Sequence, residues 1–332
     1  MIKEHRKEDV LVFVHFPKVG GNTLHAILEG QYPQSTHISS NGLQTLNEIL
    51  TLSEQDMDNI DVIRGHMNFG VHKLFARPAV YISMLRDPVE RVISHYYHAL
   101  RDPRHPLYDK CVSNNMKLED FVFQMTDNDN GQVRALAGFA DQLAFFRKDY
   151  IPFGKCNNDI LETAKANLSN FKAVGLMERF DESLILFKRI LKWELPPLYE
   201  KSNVANNRLR LPEISQKAID LITEINQYDL QIYAYASDLL QKRIDQEGDS
   251  FNLELNYFGL LNKSSFDVIR LNQQHEQIEH EHQRLQQEYQ EILHSKAVVF
   301  AQELAKHAPL MKITSTCYRV ASSIYKLFSR MP

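Results

Sequence analysis

A lysine and two glycines follow an apolar run near the start of the chain. Residues 13–23 read Phe13-Val14-His15-Phe16-Pro17-Lys18-Val19-Gly20-Gly21-Asn22-Thr23, and the apolar run reaches back to Val10. A buried strand, a tight turn carrying one lysine and a helix start together make an anion site. Glycines let backbone N–H groups turn inward, the helix start presents unpaired donors, and Lys18 adds a point charge. The chemistry favoured is the holding of a phosphate or sulfate group near Gly20. This is not a Walker A loop, which closes on Gly-Lys-Ser/Thr; here the lysine precedes the glycines. Taken alone, the same residues also read as a structural strand-to-helix connection.

A second stretch repeats the plan. After the β-rich run from Ala79 to Leu85 comes Arg86-Asp87-Pro88-Val89-Glu90-Arg91-Val92-Ile93-Ser94. Asp87 is suited to cap a helix and Pro88 to begin it. Arg86 then sits at the end of the strand and Ser94 about two turns into the helix, so both can reach a second anionic group. The plainer reading is that Arg86 only pairs with Asp87. Between the two stretches lies Gly65-His66-Met67-Asn68-Phe69.

Together the two stretches resemble the sulfotransferases, and more narrowly the carbohydrate sulfotransferases that modify heparan sulfate and related glycans. In that family Pro-Lys-x-Gly-Gly-x-Thr cradles the 5′-phosphosulfate of 3′-phosphoadenosine 5′-phosphosulfate (PAPS; its product is PAP). The Arg-Asp-Pro-x-x-Arg-x-x-Ser segment grips the 3′-phosphate. The resemblance thus implies that Lys18, Gly20, Gly21, Asn22 and Thr23 form the first site, and Arg86 and Ser94 the second. Gly65-His66 is similar to the Gly-His segment of uronyl 2-O-sulfotransferases, which makes His66 the expected catalytic base. Those enzymes carry a second histidine just before the glycine, where this chain has Arg64.

The resemblance covers roughly residues 8–240. Asn130-Gly131-Gln132-Val133-Arg134, the stretch from Val174 to Phe180, and Asn226-Gln227-Tyr228-Asp229 with Tyr233 are similar to later family landmarks. The implied activity is sulfuryl transfer from PAPS to an acceptor hydroxyl on a carbohydrate, with Lys18 stabilising charge on the leaving oxygen and no metal. Two rival classes stay open. A P-loop kinase or hydrolase would need magnesium ligands and a Gly-Lys-Ser/Thr loop. A non-catalytic nucleotide- or glycan-binding protein would keep the anion loops without the base.

The elements that must position these residues alternate between β and α. Strands are expected over 10–16, 61–65, 80–86 and 171–176. Helices are expected over 22–30, 88–100, 117–125, 158–169, 181–192, 214–225 and 228–243. The alternation predicts an α/β fold, P-loop-like and three-layered, around a mostly parallel sheet. In such sheets ligands lie at the C-terminal strand ends. Lys18, His66 and Arg86 each follow a separate candidate strand, which points to one shared site independently of the resemblance. Pro196-Pro197, Asn203, Asn206, Asn207 and Pro212 mark a loop. Lys201, Ser202 and Asn203 within it read either as extra nucleotide contacts or as solvated loop residues.

Composition bounds the partners. Of 332 residues, 43% are hydrophobic and 24% charged, with net charge −4, which offers no global basic field for nucleic acid. Three cysteines make no disulfide framework or CxxC pattern, and the 14 histidines lack ligand spacing. No stretch reaches the roughly 18 apolar residues of a membrane span, and residues 1–9 carry no apolar signal core. The expected location is cytoplasmic, with peripheral membrane contact as an added reading.

The expected division is a transferase domain over 1–245 and a helical extension over 246–332. Within 268–294, Leu271, Ile278, Leu285 and Ile292 recur every seven residues, with Val268, His275, His282 and Tyr289 at the alternate seam positions. That pattern reads as a coiled coil joining copies of the chain or as a single helix packed on its own domain. The tail, 310–332, is a basic amphipathic candidate with Lys312, Arg319 and Lys326 on one face, suited to an anionic membrane surface or to capping the coiled coil.

Overall fold

The computed structural model describes residues 9–41, 49, 51–138, 151–200 and 214–307. Its strands are β1 (Val10–His15), β2 (Thr36–Asn41), β3 (Ile60–His66), β4 (Ala79–Leu85) and β5 (Ala173–Leu176). They form one sheet in the order β2-β3-β1-β4-β5, and every neighbouring pair is parallel. All six residues of β1 are buried. A central parallel strand must be covered on both faces, so this strand reads as an unbroken apolar run, Val10-Leu11-Val12-Phe13-Val14, instead of alternating.

The described helices are α1 (Gly21–Gln31), α2 (Glu54–Asp58), α3 (Pro88–Ala99), α4 (Tyr108–Ser113), α5 (Leu118–Phe121), α6 (Gly131–Ala137), α7 (Asn158–Ser169), α8 (Phe180–Leu191), α9 (Gln216–Ile225), α10 (Gln227–Glu247) and α11 (Asp249–His307). The α/β, P-loop-like fold read from the sequence is the fold observed. β2 departs from the expected strands. Thr-His-Ile-Ser-Ser-Asn is polar and sits at the sheet edge, so it lacks the apolar signature of the inner strands. α2, α4 and α6 were also not expected. α2 is a single turn held by a capping box between Ser53 and Asp56; α6 starts from Asn130 in the left-handed region, φ 50°.

Strand order decides where a ligand sits. After β1 the chain moves to one side of it, toward β2 and β3; β4 returns on the other side and leads on toward β5. The loops after β1 and β4 therefore diverge, and a crevice opens between them at the C-terminal strand ends. Ser83 Oγ donates to the Val14 carbonyl at 2.8 Å just below it and locks the two strands there.

The chain divides into two compact units, Met1–Ser264 and Ser265–Pro332. Phe251 and Phe258, in the first turns of α11, are buried in the main core of the first unit. In the second unit α11 continues to His307, and Leu271, Ile278, Leu285, Tyr289 and Ile292 are all exposed. Among the described residues no helix is long and apolar enough to cross a membrane. The loop at Lys201, Ser202 and Asn203 and the 310–332 tail lie outside the described residues.

Candidate functional site

Loop geometry after β1 explains its glycines. Gly20 adopts φ 76° and caps α1, and a Cβ there would lie 2.6 Å from Met177 Sδ. At Gly21 a Cβ would lie 1.7 Å from His15 Nε2, because the imidazole lies directly against the backbone. Lys18 is itself left-handed, φ 71°, a strained state for a side-chain-bearing residue that its surroundings must impose. No side chain caps α1 and no acidic residue lies in its first turn, so its positive end is left for another anion. Gly21→Ala is expected to cost about 1–3 kcal/mol through overpacking, read by denaturant unfolding. A stability unchanged within error would mean that His15 does not press on this glycine.

Arg86 closes the crevice from the β4 side. Its Nη1 donates to the Lys18 carbonyl at 2.9 Å, so the two loops are tied directly. Nη2 donates to Glu90 at 3.1 Å, and Nε lies 3.9 Å from the Glu178 carboxylate. Asp87 caps α3 by accepting from the Glu90 N–H at 2.9 Å. The Arg86 backbone is clamped by Gln132, whose Oε1 accepts from the Arg86 N–H at 2.9 Å and whose Nε2 donates to the Arg86 carbonyl at 3.0 Å.

Behind Gln132 lies a buried network built from the later sequence landmarks. The Asp229 carboxylate accepts from the N–H groups of Gln132 at 3.1 Å and Val133 at 2.8 Å, and faces Arg91 at 3.4 Å. Burial raises its pKa, while Arg91 and the N–H donors oppose that. Asn130 Oδ1 accepts from the N–H groups of Tyr228 and Asp229 at 2.9 and 3.0 Å. Glu178 takes the Asp87 N–H at 3.1 Å and the Tyr233 hydroxyl at 2.9 Å. Segments that look unrelated in sequence thus converge to hold one arginine.

The C-terminal ends of β1, β2 and β3 and one face of α1 enclose a cleft of about 390 Å³ lined by His15, Asn22, His25, Glu29, Arg64 and His66, among others. His66 Nδ1 lies 3.0 Å from the His15 backbone carbonyl. A carbonyl can only accept, so Nδ1 carries the proton and Nε2 the lone pair of the neutral ring. The His15 and His66 rings stack, centroids 4.4 Å apart. His15 Nδ1 and His25 Nε2, 3.1 Å apart, share a hydrogen bond. Burial, then the Arg64 charge and the neighbouring His66, hold His25 down to about 4, so it is neutral at physiological pH.

Of the residues read from the sequence, Lys18, Gly20 and Gly21 share one loop, with Asn22 and Thr23 in the first turn of α1. Asn22 is exposed and lines the cleft. Ser94 is half-buried on α3. His72, His95 and His98, other histidines near these stretches in sequence, do not line this cleft. His72 Nδ1 bonds the Tyr81 hydroxyl at 2.7 Å. His95 is buried against Asn128 and His105 and held at about 3 by that burial. Burial, then the Lys18 ammonium, hold His98 at about 4. Sequence reasoning missed His25 and Glu29. Their signal was a polar face on α1, Asn22, Ala26 and Glu29 with His25, opposite the buried Leu24, Ile27 and Leu28.

A parallel α/β sheet with a lysine- and glycine-bearing loop after one strand and a buttressed arginine after its neighbour defines a P-loop-like fold whose two loops are suited to anionic ligands. The chain belongs to the galactose-3-O-sulfotransferase family, whose sequence model matches residues 46–309. It is similar to human heparan-sulfate 6-O-sulfotransferase 3, 28% identical over 284 residues, 71% of this chain and 58% of the relative. To human heparan-sulfate 6-O-sulfotransferase 1 it is 30% identical over 190 residues, 50% of this chain and 44% of the relative. The chain spans about half the length of the curated relatives it matches. These relatives are named as 6-O enzymes, where the Gly-His segment resembled 2-O enzymes. A mouse sulfotransferase solved with PAP covers 66% of this chain and 85% of its own, at TM-score 0.37 and 14% identity, too distant to place any residue.

Proposed function

We propose that this chain transfers the sulfuryl group of PAPS to a carbohydrate hydroxyl. The observation that carries the reading is His66, its Nδ1 committed to a carbonyl, in a cleft beside the Lys18 loop. The loop suits a phosphosulfate: Gly20 and Gly21 let its backbone pack where a side chain would strike Met177 or His15, and the adjoining helix start has no acid or cap of its own. When bound, PAPS supplies a sulfuryl group on a phosphate leaving group. Lys18 and the first turn of α1 hold the charge left on that phosphate. His66 Nε2 takes the proton of the acceptor hydroxyl as that oxygen attacks. Arg86 and Ser94 hold the 3′-phosphate. The family and the heparan-sulfate relatives support a carbohydrate acceptor.

Incubation with labelled PAPS and a panel of glycans tests this. Label is expected on a glycan, with no ATP hydrolysis by the same preparation. ATP turnover without label transfer would favour the kinase or hydrolase class, and PAP binding without either would favour a binding protein.

We further propose that the extension joins two copies of the chain through the 268–294 seam. Ile278 is 67% exposed and Leu285 51%, which an isolated soluble helix does not hold open without cost. Light scattering of the full chain at micromolar concentration is expected to show a dimer or larger, and Ile278→Asp with Leu285→Asp a monomer that still binds PAP. A monomeric wild-type chain would remove the seam as an interface.

A further inference from the structure

Arg64 is the residue that departs from the second histidine of the resembling enzymes, and its surroundings are incomplete. It projects from β3 into the wall of the His66 cleft. Its side chain is only 9% exposed. Nη1 donates to the His25 carbonyl at 2.9 Å, and Nη2 donates to a single oxygen of Glu29. Nε is buried and has no acceptor. Nε and Nη2 lie along one edge of the planar guanidinium, the edge that takes a carboxylate or sulfate through two parallel hydrogen bonds. Here that edge is half used. A buried cation with an unfilled donor is costly.

The group now on that edge is replaceable. Glu29 is 60% exposed, so releasing its carboxylate to water costs little. His15, His25 and His66 bring no fixed negative charge to the same cleft, and its lining holds no other carboxylate among the described residues. Resting on the transferase reading above, we infer that Arg64 is the cation of an acceptor subsite for an acidic sugar. A carboxylate or sulfate ester borne by the acceptor displaces Glu29 and fills both Nε and Nη2. The acid group fixes the acceptor beside His66; Arg64 positions and does not react. Glu29 acts as a placeholder that keeps the cation paired in the empty cleft, and a neutral glycan, which cannot replace it, gains nothing from Arg64.

The test measures binding, independently of turnover, on the full chain saturated with PAP so that the phosphate loops are filled. PAP affinity is measured first by calorimetry; its absence would sink the cofactor reading, and the comparison below would then be read on the unloaded chain. The probes are a tetrasaccharide of alternating glucuronate and N-acetylglucosamine, its carboxyl methyl ester, and the ester after N-sulfation. The acid is expected to bind at least about tenfold more tightly than the ester. Recovery of affinity in the N-sulfated ester would assign the edge to sulfate as well; no recovery would restrict it to carboxylate. Glu29→Gln, a surface change, is expected to tighten the acid up to about fivefold and leave the ester unchanged. Arg64→Gln is expected to erase the acid-over-ester preference. Equal affinities for acid and ester, no binding of either, or an equal loss of both in Glu29→Gln would overturn the subsite.

Discussion

His66→Ala is expected to lower turnover about 100- to 10,000-fold, the usual cost of losing a general base, while leaving PAP affinity nearly unchanged. The split follows from geometry. His66 lines the cleft, and its Nδ1 is held by the His15 carbonyl, away from the nucleotide-binding role assigned to Lys18 and Arg86. The wild-type rate should also fall at acid pH once the imidazole is protonated. A protonated imidazole donates from both nitrogens, and Nε2 then has no lone pair for the hydroxyl proton. The acid limb should vanish in His66→Ala. Single-turnover kinetics at saturating acceptor, with PAP affinity measured alongside, would check both. Near-wild-type turnover in the variant would pass the role to His15 or His25, the two imidazoles that share the cleft.

Arg86→Ala is expected to weaken PAP by about 10- to 100-fold, the worth of a charge-assisted hydrogen bond, and its 3′-dephospho analogue much less. Only the former offers a second anion to the guanidinium. Part of the loss is common to both nucleotides, since Arg86 also holds the Lys18 carbonyl and removal loosens the first loop. The diagnostic quantity is therefore the ratio of the two affinities. Calorimetry showing equal losses would reduce Arg86 to a strut between the loops.

The fold and the placement of the loops after β1 and β4 were legible because their signals are local. Val10–His15 is an unbroken apolar run followed by glycines, and Asp87-Pro88 marks the start of α3 within one residue. β2 was not legible, because an edge strand need bury little and its residues are polar. The wall of the cleft was hidden for a different reason. His25 and Glu29 are ordinary residues for a solvated helix face, and only the pairing of β3 beside β1 brings Arg64 onto them. The buttress of Arg86 was split among three short segments. Each could be seen as a landmark, but nothing in Asn130 or Asp229 alone says that both end behind one strand tip.

That buttress carries a consequence for biogenesis. The hydrogen bond from the Tyr228 N–H to Asn130 spans 98 residues, and the Asp229 link to Gln132 spans 97. During synthesis the loop after β1 and the turn after β4 emerge early, while the groups that fix Arg86 are still untranslated. Contacts so distant along the chain form late, after most of the loop-closure entropy has been spent. A nascent chain stalled before α10 should hold its sheet strands yet have no ordered grip on nucleotide. On the proposed reading, nucleotide would find no ordered site in the early stages of folding on the ribosome, and competence to bind it would arrive only once the C-terminal part of the first unit docks.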